Sequence, residues 1–190
     1  MKRQTIIELG AFVGLLVLGI GMRVLLEGMP NVAPVAAVAL FAGYFFRSWR
    51  VALGVPLLVM ALSDLWIGGY EWSVLLPVYA SIAFPVLMRP LLRGKLRLNR
   101  PTPGGLAASV AKILACSLGA SVVFFLLTNF AVWLTWYEPT FAGFARCYLQ
   151  ALPFFRYTLT GDMLFAAALF GGYSLALNFA PLPQPAADAT

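Results

Sequence analysis

The run 6-IIELGAFVGLLVLGIGMRVLL-26 decides the fold class. Its only charges are Glu8 and Arg23. A helix of that length, at about 1.5 Å per residue, covers about 30 Å, the hydrocarbon thickness of a bilayer. The preceding Met1-Lys2-Arg3-Gln4 gives the start a superficial likeness to a secretion signal. The run is too long for a signal's apolar region, and no small-residue cleavage site closes it. It reads as a retained first transmembrane helix.

Five further apolar segments follow, at about 35–46, 51–67, 72–88, 106–133 and 154–179. The 35–46 segment is short, and the preceding 31–34 stretch is expected to extend it. Unpaired backbone amides are intolerable in lipid, so each run is expected to be helical. Pro56, Pro77 and Pro85 fall inside the third and fourth runs. They point to kinks, or to backbone freed to line a cavity. The whole chain agrees: 190 residues are 62% apolar and 11% charged, and the mean hydropathy is +0.88. A soluble domain is about 45–50% apolar and about 25% charged. The expected fold is an all-α integral membrane protein of six transmembrane helices, one domain over 1–180. A small, Pro- and Ala-rich cytoplasmic tail at 181–190 is expected to be disordered. The breaker cluster Pro101-Thr102-Pro103-Gly104-Gly105 divides the spans into four and two.

Charge sets the orientation. The net charge is +6, and with the N-terminus inside, ten of the 13 Lys and Arg fall on the cytoplasmic side. Only Arg23, Arg146 and Arg156 fall outside. The positive-inside rule then places both termini of this multi-pass protein in the cytoplasm. The same rule accounts for the basic excess, and no basic motif interleaved with aromatics is present, so nucleic acid is not an expected partner. The lipid bilayer is.

Between the fifth and sixth runs, Phe141, Phe144, Tyr148, Leu149 and Leu152 recur at helical spacing on one face. An amphipathic helix lying on the outer surface is expected there. It is either a connector or a lid over a site between the spans.

The depth of the polar residues points toward function. Asp64 falls near the outer end of span three and Tyr79 in the outer half of span four. Thr128 and Asn129 fall in the outer third of span five. Arg156 opens span six, with Asp162 about 9 Å deeper. Arg23 and Glu27, four apart, close span one. Asn31 opens the stretch expected to extend span two. The inner halves hold almost nothing comparable. This distribution describes an outward-open cavity closed below by apolar packing; a channel or proton relay needs polar groups at all depths. Asp64 is expected either to contact a ligand or to pair with Arg156. Asp162 is expected to pair with Arg156 structurally, and Asn129 to bond between helices. Trp133, Trp136 and Tyr137 fit an interfacial belt.

Catalysis is not expected. There is no histidine, so imidazole acid–base chemistry and histidine metal ligation are excluded. No Ser-His pair, HExxH or Walker A motif occurs. Cys116 and Cys147 differ too much in depth to bond. No cofactor and no metal site is expected. The absence of a P-loop means that energy for any uptake must come from another subunit. Gly10 and Gly14 form a GxxxG on span one, a face that another helix can approach closely.

The strings 31-NVAPVAAVALFAGYFF-46, 63-SDLWIGG-69, 124-FFLLTNFAVWL-134 and especially 153-PFFRYTLTGDMLFAAALFGGY-173 resemble a family of small bacterial membrane proteins of unknown function, classed with transport proteins. That family is similar to the substrate-binding (S) components of energy-coupling-factor vitamin transporters. The resemblance implies a six-helix S-component-like bundle with an outward pocket for a small vitamin-like molecule, a corrinoid among the candidates. It also implies docking to a transmembrane coupling subunit and ATPases through small residues of the first helix, here Gly10 and Gly14. Within that group the chain loosely resembles the cobalamin-specific BtuM type. By that likeness Asp64, Tyr79 and Arg156 are substrate-binding residues; the outer-half polar cluster adds Asn31, Asn129 and Asp162 as residues expected to line the site. The cobalt-ligating cysteine of that type has no counterpart between Asp64 and Tyr79.

Overall fold

The computed structural model describes residues 2–29, 31–69 and 71–179. The expected tail at 181–190 lies outside the described residues. Seven helices follow in order: α1 (Lys2–Leu25), α2 (Val35–Phe45), α3 (Trp49–Ile67), α4 (Trp72–Leu87), α5 (Arg89–Leu92), α6 (Pro103–Trp136) and α7 (Phe141–Phe179). The described residues are otherwise turns and irregular segments, with no strand among them. Five stretches are long and apolar enough to cross a bilayer: 4–25, 49–67, 72–92, 103–136 and 141–179. The protein is a multi-pass helical membrane bundle.

Two expectations are corrected. The second apolar run is not a full span. α2 has 11 residues, about 16 Å of helix. Residues 31–34 do not extend it: Pro34 caps the helix, and Asn31 adopts a left-handed φ of 58°. Proline at that boundary lacks the N–H that would carry helical hydrogen bonding backward, and the backbone before α2 is irregular. The amphipathic 141–152 segment is not a separate surface helix either. It is the opening of the 39-residue α7, which continues through Pro153. Its aromatics clasp the end of α6. Trp133 meets Phe144 at 5.4 Å between centroids, Phe125 meets Tyr148 at 5.6 Å, and the Tyr148 hydroxyl donates to the Leu126 carbonyl at 2.8 Å. These contacts hold the segment in line with α7 and upright beside α6, where a lid would have to lie across the bundle.

The core forms around α2. Nine of its 11 residues are buried, and it touches α1, α3, α4, α5, α6 and α7. The small residues Ala37, Ala39, Ala42 and Gly43 permit this crowding. A Cβ on Gly43 would stand 3.2 Å from the Val86 Cα and carbonyl oxygen, so α4 passes directly over that position. At the far end of α2, Phe41, Tyr44 and Phe45 pack against Phe170 and Tyr173, with Phe41–Phe170 at 5.2 Å. α1 is peripheral: it packs on α3 and lightly on α2, leaving Ile6, Leu9, Val13 and Val17 exposed as a lipid-facing helix should.

The basic stretch between α4 and α6 is ordered packing where the sequence suggested a loop. Leu92 and Leu98 are buried. Arg93, also buried, donates to the Tyr44 carbonyl at 3.2 Å and the Phe46 carbonyl at 2.6 Å. It thereby satisfies carbonyls that the end of α2 leaves without helical partners. Ser174 and Asn178 of α7 bond the Leu98 carbonyl and the Arg100 amide. α4 and α6, on either side of the breaker cluster, share one of the largest contacts in the bundle. The molecule thus has an Arg93 end, sealed by α5 and aromatic rings, and an Asn31 end, where α2 stops short.

Candidate functional site

At the Asn31 end, the space that α2 leaves is only partly filled. Two cavities open there, of about 200 Å³ and about 240 Å³. Irregular backbone at membrane depth is tolerated where it lines such a space. The first cavity is walled by Arg23 and Glu27 of the α1 end, by the 31–36 segment, by Met60 and Ile82, and by Phe124, Thr158 and Asp162. The second is walled by Val74 and Val78 of α4, Phe124, Phe125, Thr128 and Asn129 of α6, and Phe154 and Phe155 of α7. Asn31, Phe124 and Thr158 belong to both walls. Gly161 brings α7 close to the loop: a Cβ there would meet Val32 Cγ1 at 3.3 Å.

Three of the sequence-predicted site residues reach these walls. Asn31 lines both cavities, Asp162 the first and Asn129 the second. The Asn129 side-chain amide donates to the Phe125 carbonyl of its own helix at 2.7 Å, and the Asn129 backbone carbonyl accepts from the Cys147 thiol of α7 at 3.4 Å. Asp162 is 4% exposed. Its Oδ2 accepts from the Ser121 hydroxyl of α6 at 2.6 Å. No Arg or Lys among the described residues pairs with it; in particular Arg156, the expected partner, does not.

Asp64 and Tyr79 form a second group that touches the first cavity through Arg23. Asp64 Oδ1 pairs with Arg23 Nη1 at 2.6 Å, both side chains being 10% exposed. The Tyr79 hydroxyl donates to Asp64 Oδ2 at 2.8 Å. Arg23 also donates to the Ser63 hydroxyl and, at 3.5 Å, to the Met60 carbonyl. The alternative pairing of Asp64 with Arg156 is therefore corrected. Arg23 is near in depth to Arg156, but α1 packs directly on α3, while α3 and α7 share no extensive contact. Arg156 is exposed. It donates to the Tyr157 hydroxyl at 2.8 Å, with its guanidinium 4.7 Å from that ring centroid. It lines neither cavity.

Sequence reasoning missed Arg23 as the partner of Asp64, Ser121 as that of Asp162, and the phenylalanine walls. Arg23 was visible as the one cation near the outer end of span one. The phenylalanines carry no signal that separates a cavity wall from a lipid-facing position. Gly10 and Gly14 face away from the bundle: a Cβ on either would meet nothing within 4 Å. Cys116 and Cys147 are both free and buried. Among the described residues no group of His, Cys, Asp and Glu could hold a metal ion.

No curated protein matches this sequence. No solved structure matches it either. The profile described as "Family of unknown function (DUF6580)" matches residues 3–184, and the chain belongs to that family.

Proposed function

We propose that this protein binds a small vitamin-like molecule at the Asn31 end and serves its uptake across a bacterial inner membrane, in the manner of an S component of an energy-coupling-factor transporter. The carrying observation is the pair of cavities opened by the shortness of α2, walled by Asn31, Asn129 and Asp162. Positive-inside counting turns this end outward and leaves both termini in the cytoplasm. The Arg93 end, closed by aromatic packing, is consistent with a binding protein that needs a partner to complete transport. In this reading a transmembrane coupling subunit and ATPases supply the energy, docking on the open Gly10–Gly14 face of α1. In this reading the protein binds its ligand and does not transform it. Volumes of about 200 and 240 Å³ favour a compact molecule over a corrinoid.

A second reading has its own supporting observation. Arg23, Ser63, Asp64 and Tyr79 satisfy one another, as they would in an assembly scaffold whose polar residues serve helix packing. The two readings differ in thermal unfolding of the protein in nanodiscs with a panel of vitamins, corrinoids included. A ligand at about 100 times its Kd stabilises by about 2.7 kcal/mol, so at least one compound should raise the Tm by several degrees. A flat response across the panel, with no vitamin-sized compound co-purifying, would favour the scaffold.

A further inference from the structure

The chemical class of the ligand follows from how the charges around the two cavities are matched, an inference that rests on the binding role proposed above. Three charged side chains line the first cavity: Arg23, Glu27 and Asp162. Arg23 is committed, since its guanidinium already holds the Asp64 carboxylate, the Ser63 hydroxyl and the Met60 carbonyl. An incoming anion would have to compete with Asp64 for it. The two carboxylates are not so matched. Glu27 has no ion pair among the described residues. Asp162 is 4% exposed and receives one hydroxyl hydrogen bond, on Oδ2. Its Oδ1 takes no hydrogen bond from a described residue, and Asp162 belongs to the cavity wall. A buried carboxylate left without a cation is costly, and an occupant carrying positive charge relieves that cost.

The second cavity supplies the other half of the recognition. Phe124, Phe125, Phe154 and Phe155 belong to its wall. Phe124 also belongs to the first cavity, so the two walls share an aromatic residue. Aromatic walls suit a flat apolar body, and ring faces attract a nearby cation. Asn31 and Thr158, shared by both walls, provide polar contacts at the junction.

We propose that the ligand is a small organic cation. An ammonium or similar positive group would lie against Asp162 Oδ1, with Glu27 drawing it in from the mouth and an aromatic or aliphatic body seated among the four phenylalanines.

Calorimetric titration of the full chain in nanodiscs with three size-matched probes tests this: phenethylammonium, 2-phenylethanol and 3-phenylpropionate. Phenethylammonium is expected to bind at least about tenfold more tightly than the alcohol, and the carboxylate more weakly than either; charge-assisted hydrogen bonds give preferences of that order. Asp162→Asn should erase the preference for the ammonium while leaving the alcohol's affinity within about twofold. If that variant does not fold, Glu27→Gln, at an exposed position, should reduce the preference about threefold. Equal affinity for ammonium and alcohol, or tighter binding of 3-phenylpropionate, overturns the cation assignment and leaves the uptake role standing. Binding of none of the three also overturns it, and the vitamin panel then decides the uptake role separately. Tight cation binding with unchanged preference in both variants would move the site away from Asp162, and so overturns it too.

Discussion

At the scale of single residues, the ionisable groups divide between self-satisfied and unmatched. Arg23 and Asp64 are matched to each other inside the bundle, with Tyr79 and Ser63 completing their hydrogen bonds. Removing one member of such a pair strands the other in a poorly solvated place, at a cost of about 3–5 kcal/mol. Arg23→Met or Asp64→Leu alone should therefore lower the Tm strongly. The double variant should recover a substantial part of the loss, because it removes both desolvation penalties. Additive losses in unfolding experiments would show that the two residues act independently. The sequence made Asp64, Tyr79 and Asp162 legible as polar groups near one end, because a charge inside an apolar run stands out. It did not reveal their partners. Position along a span gives depth but not direction around the bundle, and Arg23 and Arg156 have similar depths. Only the contact of α1 with α3 separates them.

At the scale of elements, long apolar runs were readable, whereas their exceptions were not. α3, α4, α6 and α7 follow the runs that hydropathy marks out. The truncation of α2 was concealed because 31–34 is itself largely apolar; the decisive signals are Pro34 and the left-handed Asn31. Crowding around α2 yields two predictions. Gly43→Ala must push against the α4 backbone at Val86 and should destabilise by about 1–3 kcal/mol. Gly54→Ala, which meets nothing within 4 Å, should be neutral or slightly stabilising through helix propensity. Paired thermal melts in detergent measure the difference, and equal Tm values for the two variants would contradict the close crossing. Arg93→Met should remove the donors to the Tyr44 and Phe46 carbonyls and cost about 1–3 kcal/mol. Faster amide exchange near the end of α2 would locate that loss.

For the whole molecule, the two ends differ in kind: one opens into cavities and the other is closed by α5, Arg93 and a ring cluster. Labelling of single cysteines in intact cells tests which end faces out, in a background where Cys116 and Cys147 are replaced by alanine. Glu138→Cys, beside the α6–α7 turn, should react with a membrane-impermeant maleimide. Arg97→Cys, between α5 and α6, should react only after the membrane is opened. The reverse pattern would invert the orientation and place the cavities on the cytoplasmic side. The shortness of α2 also has an electrical consequence. Were water to fill the cavities, the membrane voltage would fall mainly across the packed level of the 11-residue α2. That helix is about 16 Å long, against about 30 Å for a full hydrocarbon layer, so the local field there would be roughly doubled. A unit charge carried past Phe41 and Tyr44 would then exchange nearly the full membrane energy, about 2.3 kcal/mol per 100 mV, within three helical turns.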